Sequence, residues 1–345
     1  MTLLSALLGD PETEALLSDQ AELDAILRFE VALAGAEADA GLISEAAAEA
    51  VRIGIENFTP DWTALAQGMA TDGLVVPALL KQLRPVLAED HRDALHKGAT
   101  SQDAIDTALI LRLAEIFPIF QTRLQTLRER FDALAEQFGD AKLMAHTRMQ
   151  QALPFTVSDK LATWSEPLER QLGTLRAMRR RLLVIQLGGP IGNRGTFEGK
   201  GEDLARRLAQ RLDLGLAPSW HAQRDPLAEF GALLSTISGT LGKFGADVAL
   251  MAQNEVAEIK LTGGGGSSAM AHKSNPVNAE VLVALARFNA GLLGTLHQAL
   301  VHENERSGAA WTLEWLVLPP MLVTTGASLR LALKLAEQIS FPPQA

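Results

Sequence analysis

A chain of 345 residues that is 47% hydrophobic carries enough apolar material for one large core or two. It has no cysteine, which excludes disulfides, thiolate nucleophiles and cysteine-ligated metals, and which fits the reducing cytoplasm where the chain is expected to reside. A formal charge of −10 argues against non-specific binding to nucleic acid or to an anionic membrane, yet leaves room for a small anionic ligand where the cations converge.

At the N-terminus Thr2 to Leu8 is apolar, but no basic region precedes it and Gly9-Asp-Pro-Glu12 follows, so no secretory leader is expected. No apolar run reads as long enough to span a bilayer. Up to about Lys97 the helical segments are short, with turns at Gly9-Asp-Pro11 and Thr59-Pro-Asp61. This predicts a small helical domain over 1–97 and a central domain of long helices over 98–345.

The central part opens on Thr100-Ser-Gln-Asp103, which is helix-capping material. Behind it Ile105, Leu109, Leu113, Ile116, Phe120, Leu124, Leu127, Phe131 and Leu134 recur every three or four residues, a single apolar stripe. Pro118 is expected to kink or split that helix. Further long helices are predicted over roughly Phe155 to Leu187, Gln223 to Lys260 and Val277 to His302, separated by Gly188-Gly-Pro-Ile-Gly-Asn193 and Leu214-Gly-Leu-Ala-Pro-Ser219. Strand-like alternation is scarce, there is no internal repeat, and the class is all-α. Long helices with broad apolar faces often bury them against partner subunits. The pairs His91/His96 and His297/His302 are five residues apart, whereas helical metal pairs use three or four, so neither a protein-bound metal nor another cofactor is expected.

Gly263-Gly-Gly-Gly-Ser-Ser-Ala-Met-Ala-His-Lys-Ser-Asn-Pro276 interrupts this helical sequence. It is not a phosphate-binding P-loop, because His272 rather than glycine precedes Lys273. It is not a dinucleotide fingerprint either, since Ser268 stands where the third glycine belongs and no strand leads into it. A flexible linker is the plain reading. Against it, Asn275-Pro276 is a helix start, with Asn275 as cap and Glu280 in the first turns. Lys273 and the serines then sit just ahead of a helix N-terminus, where anions are stabilised, and a glycine-rich segment there could close over a ligand. Backbone N–H groups, an ammonium and scarce water would stabilise a serine alkoxide.

Gly266-Ser-Ser-Ala-Met-Ala-His-Lys-Ser-Asn275 resembles the signature of the fumarase/aspartase superfamily, usually Gly-Ser-Ser-x-Met-Pro-x-Lys-x-Asn, with Ala271 in place of the proline. His96-Lys-Gly-Ala-Thr-Ser-Gln-Asp103 resembles the first block of that superfamily, and Ala145-His-Thr-Arg-Met-Gln-Gln-Ala-Leu-Pro154 the second. The resemblance runs from about Leu17 to the C-terminus. It implies a homotetramer whose central domains form a twenty-helix bundle, with each active site built from three subunits. Superfamily members also usually continue into a small C-terminal helical domain, which the resemblance implies is truncated or missing here.

The resemblance further implies chemistry beside a carboxylate through an aci-carboxylate. Ser267 would move the proton on carbon, and Lys273 and Asn275 would hold the carboxylate. His96, Thr100 and Ser101 fall on substrate-contacting positions, as do Thr147, Gln150 and Arg306. Most lyases of the superfamily read Thr-His-x-Gln in the second block, where a histidine paired with a glutamate serves the leaving group. Here Arg148 occupies that position, His146 is out of register, and Glu280 is left without its usual partner. Arginine does not shuttle protons near neutrality but binds carboxylates through two parallel bonds. The branch this resembles is the bacterial 3-carboxy-cis,cis-muconate cycloisomerases, whose nucleophile is a carboxylate of their own tricarboxylate substrate. Gln102-Asp-Ala-Ile-Asp-Thr107, Trp220-His-Ala-Gln-Arg-Asp225 and Glu305-Arg-Ser-Gly-Ala-Ala-Trp-Thr-Leu-Glu-Trp315 resemble the same branch. A β-eliminating lyase such as adenylosuccinate lyase and a non-catalytic structural bundle are the alternatives. Arg306 also reads as an ordinary ion pair, Trp220 and Trp311 as packing residues, His221 as a surface residue and His146 as a structural one.

Overall fold

The computed structural model describes residues 3–266 and 274–342. In chain order the elements are α1 (Ser5–Leu8), α2 (Pro11–Leu16), α3 (Asp19–Asp39), α4 (Glu45–Glu56), α5 (Trp62–Asp72), α6 (Val76–Leu83), α7 (Ser101–Phe138), β1 (Lys142–Thr147), β2 (Gln150–Thr156), α8 (Val157–Leu182), α9 (Gly201–Leu212), α10 (Asp225–Met251), β3 (Lys260–Leu261), α11 (Val277–Gln298), α12 (Gly308–Gln338) and β4 (Ile339–Ser340). The chain is all-α, with two small antiparallel pairings, β1–β2 and β3–β4.

Local chemistry sets the N-terminal helix ends. The Ser18, Ser44 and Asp61 side chains accept from the N–H groups of Ala21, Ala47 and Ala64, capping α3, α4 and α5. Leu23, Ile26, Phe29 and Leu33 on α3 share a buried core with Val51, Leu65, Leu79 and Leu83. Leu204, Leu208 and Leu212 of α9 join that core from far along the chain.

The second core lies among the five long helices α7, α8, α10, α11 and α12. Helix α7 spans 38 residues, about 57 Å at 1.5 Å per residue, and its sequence stripe is buried as the periodicity predicts, apart from a half-buried Leu109. Pro118 lies inside α7 without splitting it. Its neighbour Phe117 stacks on Phe230 at 5.0 Å and Phe120 is fully buried, so packing holds the helix across the missing backbone bond. Contacts fix the relative directions. Asp106 meets Trp311, Arg123 meets Gly326 and Phe138 meets Phe341, so α7 and α12 run parallel. Phe117–Phe230 and Phe131–Phe244 align α10 with them. Phe131–Trp164 and Gly245 against Ala279 make α8 and α11 antiparallel. Asn289 ties the register of α10, α11 and α12 by donating to Ser238 Oγ (2.7 Å) and Thr325 Oγ1 (3.0 Å).

The second sequence block is a β-hairpin. Three expectations need correction. Helix α11 is capped by Pro276, one residue later than expected, because the Asn275 backbone is paired with Gly265 instead. Helix α10 stops at Met251 rather than near Lys260, where turns over Gln253–Ala257, with Ala257 left-handed, break the pattern. Among the described residues, α11 and α12 are long and apolar enough to cross a bilayer by length and composition, which the search for uninterrupted apolar runs missed because polar residues punctuate both. In α12 67% of the most apolar window is buried within this chain, as in a core helix, against 33% in α11.

Candidate functional site

The first block lies where the loop before α7 enters the bundle. Asp103 organises it. Its Oδ1 accepts from Gly188 N (2.7 Å), His221 Nε2 (2.9 Å) and Gln186 Nε2 (3.2 Å), and its Oδ2 from Gly189 N (2.9 Å) and Thr100 N (3.0 Å). Five donors on one fully buried carboxylate explain the Gly188-Gly189 break. A chain reversal must present two consecutive N–H groups, and a Cβ on Gly189 would stand 3.0 Å from Gly98 O. His221 is therefore buried, at 3% exposure, and not a surface residue.

One turn further, Arg224 is sealed between two carboxylates. It donates to Asp106 at 2.6 and 3.0 Å and to Glu314 at 2.5 and 2.8 Å, and its guanidinium lies 4.6 Å from the Trp220 ring centroid. Trp311 Nε1 donates to Asp106 (3.1 Å). Burial alone would push the Glu314 carboxyl up; His302 and Arg224 beside it bring it below its usual range. The three stretches Gln102–Thr107, Trp220–Asp225 and Glu305–Trp315 thus converge on one buried polar network. Trp220 and Trp311 pack within it, both buried.

His96, Thr100, Ser101 and Arg306 are brought together at this end. Thr100 caps α7 and Ser101 is its first residue; the Ser101 hydroxyl forms no hydrogen bond among the described residues. Arg306 Nε donates to Gln102 Oε1 (2.9 Å) and its Nη2 to Pro190 O (3.2 Å), so it is fastened by neutral groups instead of an ion pair. His96 Nδ1 lies 2.6 Å from Glu30 Oε1 on α3. Glu30, Asp103, His221 and Arg224 were not singled out as site residues from the sequence. The one legible signal was Asp103 three residues behind Thr100, which also reads as a plain capping box.

Thr147, Arg148 and Gln150 lie at the opposite end of the bundle. They cluster at the tip of the β1–β2 hairpin, all exposed, with Thr147 paired to Gln150 across a two-residue turn. The turn residues Arg148 (φ 49°) and Met149 (φ 65°) are both left-handed, a conformation that glycine and asparagine adopt far more readily. His146 is exposed on the same hairpin. The hairpin base is held by Met144 N donating to Glu258 Oε1 (3.3 Å).

The described flanks of the glycine stretch are at this second end too. Ser267 and Lys273, with the rest of 267–273, lie outside the described residues. Their flanks are clamped: Gly265 and Asn275 exchange both backbone bonds at 2.9 Å. A Cβ on Gly264 would fall 1.9 Å from Ser274 Oγ, and one on Gly265 2.5 Å from Val277 Cγ2. Two of the four glycines are thus demanded by close approach at the neck of the segment. Glu280 follows, exposed, in the first turn of α11. Among the described residues no group of three or more histidine and carboxylate side chains could hold a metal ion.

Within one chain, then, the first block lies at one end of α7, and the second block and the described flanks of the third at the other.

The profile of a family described as Lyase matches residues 11–288. The chain is 38% identical to the 3-carboxy-cis,cis-muconate cycloisomerase of Pseudomonas aeruginosa, an alignment covering 96% of this chain and 73% of that one. It is 32% identical to the N-acetyl-S-(2-succino)cysteine lyase of Enterococcus italicus, over 92% of this chain and 70% of that one. The crystal structure of the 3-carboxy-cis,cis-muconate lactonizing enzyme from Pseudomonas putida superposes with a TM-score of 0.92 at 37% identity, covering 99% of this chain and 77% of that one. On sequence and on fold alike, the chain belongs to the lyase family, whose architecture is the fumarase/aspartase-like one that its three blocks resemble.

Proposed function

We propose that the protein is a 3-carboxy-cis,cis-muconate cycloisomerase, an enzyme that closes a carboxylate of its tricarboxylate substrate onto the substrate's own diene to give γ-carboxymuconolactone. It acts on a small molecule. The observation that carries the choice among lyase chemistries is Arg148, exposed at a tight hairpin tip where most superfamily lyases place a histidine. An eliminating lyase must protonate a leaving group; a lactonising one has none.

In the proposed reaction a substrate carboxylate oxygen bonds to the diene carbon. The π pair moves into the neighbouring carboxylate, giving the aci-carboxylate. Lys273, Asn275 and Arg148 neutralise that charge as it develops. Ser267 Oγ delivers its proton to carbon, and solvent returns a proton to the serine. His96, Thr100, Ser101, Thr147, Gln150 and Arg306 hold the remaining polar groups of the substrate.

The separation of the blocks supports an assembled site. Helix α7 alone puts about 57 Å between its two ends, far beyond any small substrate. One chain contributes five long helices, so four chains would supply the twenty of a homotetrameric core. We place the enzyme in the cytoplasm, as its lack of cysteine suggests.

The test is to follow the ultraviolet spectra of 3-carboxymuconate and of adenylosuccinate, separately, in the presence of the protein. Loss of the diene absorbance with the first and no change with the second is expected. Turnover of adenylosuccinate alone would replace the lactonising reading with the eliminating one.

A further inference from the structure

The N-terminal core carries polar side chains that no hydrophobic core needs. Glu30 and Glu37 lie two turns apart on one face of α3, and both are fully buried. Glu30 faces His96, the first residue of the first block. The Nδ1–Oε1 distance is 2.6 Å, and the two side chains are 9% and 0% exposed. A carboxylate can only accept, so the Nδ1 hydrogen donates to Glu30. The other ring nitrogen, Nε2, forms no hydrogen bond among the described residues and is not sealed from solvent. His96 is itself left-handed, at φ 58°, a strained conformation for a residue with a Cβ. Its ring meets the α3 face at Glu30.

We propose that Glu30 is a positioning residue for the substrate site: it fixes the His96 ring through Nδ1 and sets a buried carboxylate against it, so that Nε2–H is presented as a charge-assisted donor to one carboxylate of the bound tricarboxylate. This deepens the lactonising reading and rests on it for the identity of the ligand. In that reading Arg148 and Asn275, at the far end of the bundle, come from other subunits. Glu30 and His96 then supply the near-end charge that a third carboxylate requires.

The charged groups around the ring agree in sign. Burial pulls the His96 imidazolium down, but Glu30 from α3 and Asp103 from α7 outweigh it, with Arg84 opposing, and the net displacement is upward. Lys97 donates to Leu42 O (3.1 Å), and its charge acts on Glu37. A histidine whose folded pKa is raised is charged below that value and loses its charge as pH rises through it. Carboxylate binding should therefore be strongest at low pH and fall as pH rises through a value above histidine's ordinary one.

The test uses Glu30→Gln and Glu30→Asp in the full chain, with folding checked by circular dichroism. The His96 ring is titrated by NMR, assigned from the signal lost in His96→Asn. Affinity for propane-1,2,3-tricarboxylate, an unreactive probe, is measured from pH 5.5 to 8.5, alongside KM and kcat for 3-carboxymuconate. In Glu30→Gln the His96 titration should move down to histidine's ordinary range or below. Probe affinity near pH 7 should fall, by up to about tenfold for the loss of one charge-assisted bond, and recover towards the parent at pH 5.5. KM should rise more than kcat falls, and Glu30→Asp should restore part of each effect. Identical pH profiles in parent and Glu30→Gln would overturn the proposal, as would a shifted His96 titration with unchanged affinity. So would a parent that bound neither probe nor substrate. If the probe profile appears but the parent does not lactonise, the positioning role stands and the substrate assignment falls.

Discussion

Arg148 and Glu37 carry the sharpest predictions about single side chains. At Arg148 the guanidinium stays charged at any working pH, and its planar fork suits a carboxylate. Arg148→Lys keeps charge and loses the fork, so KM for 3-carboxymuconate should rise by roughly tenfold with kcat less affected. Arg148→His recreates the residue common among superfamily lyases, yet should not recover lactonisation, because the reaction has no leaving group to protonate. Ser267→Ala should instead abolish turnover while substrate still binds. Parent-like rates in Arg148→His, with a new inflection near histidine's own pKa, would assign position 148 to proton transfer. Glu37 concerns stability. Burial pushes its carboxyl up to about 8, against Lys97, which lowers it, and with Glu30, which adds to the rise. The folded state then holds a proton the unfolded chain releases near 4.5, so this group's contribution to stability is lost as pH rises from 4.5 to about 8. The ceiling is about 5 kcal/mol at 1.36 kcal/mol per pH unit. Glu37→Gln keeps a neutral polar group there. Urea unfolding should find it close to the parent at pH 5 and more stable by about 2 kcal/mol at pH 8.5. A difference that does not change with pH would mean that Glu37 is ionised in the folded protein.

Among elements, those with a strong period were legible and those fixed by distant partners were not. The α7 stripe from Ile105 to Leu134 was read directly, because one face of a long helix meets one core. The β1–β2 hairpin was not, because its turn is Arg148-Met149 rather than an Asn-Gly type and both strands are largely exposed, leaving no alternation to read. The left-handed Arg148 is backbone strain placed where the chemistry is proposed, a common coincidence at functional loops. The Gly188–Asn193 break was found, but not its purpose, since Asp103 lies more than eighty residues earlier. Of the site itself, the three blocks were legible as sequence. What joins them to the fold was not: Glu30 under His96, Gln102 under Arg306, and Arg224 between Asp106 and Glu314 are all long-range side-chain pairs. The last of these is testable at the scale of three elements. Arg224 at the start of α10 holds α7 to α12. Arg224→Met strands two buried carboxylates and should cost about 3–5 kcal/mol of stability, whereas Asp106→Asn, Arg224→Met and Glu314→Gln together should cost less than the single change. A triple variant at least as unstable as Arg224→Met would mean that the network contributes more than mutual neutralisation.

For the whole molecule the deciding fact is that the first and second blocks sit at opposite ends of α7, about 57 Å apart, too far for one substrate to touch both. The surface agrees with assembly. Phe288 on α11 is 51% exposed and Leu316 on α12 67%, and only a third of the most apolar window of α11 is covered by its own chain. A site that needs the first block of one subunit and the third block of another makes a prediction that no monomeric site can imitate. His96→Ala removes a first-block binding group and Ser267→Ala the proposed proton donor of the third, so with substrate well below KM the first should keep about a tenth of the parent rate or less and the second almost none. If the two are unfolded, mixed in equal amounts and refolded together, subunits combine at random. A given site then draws an intact first block from a Ser267→Ala subunit with even odds, and an intact third block from a His96→Ala subunit with even odds. About a quarter of all sites regain both, so lactonisation should return to about a quarter of the parent rate, in particles that light scattering sizes as tetramers. Variants refolded separately and then mixed without exchange should gain no activity. If all three blocks of a site came from one chain, every site would still carry one of the two lesions. The mixture would then be no more active than the variants from which it was made.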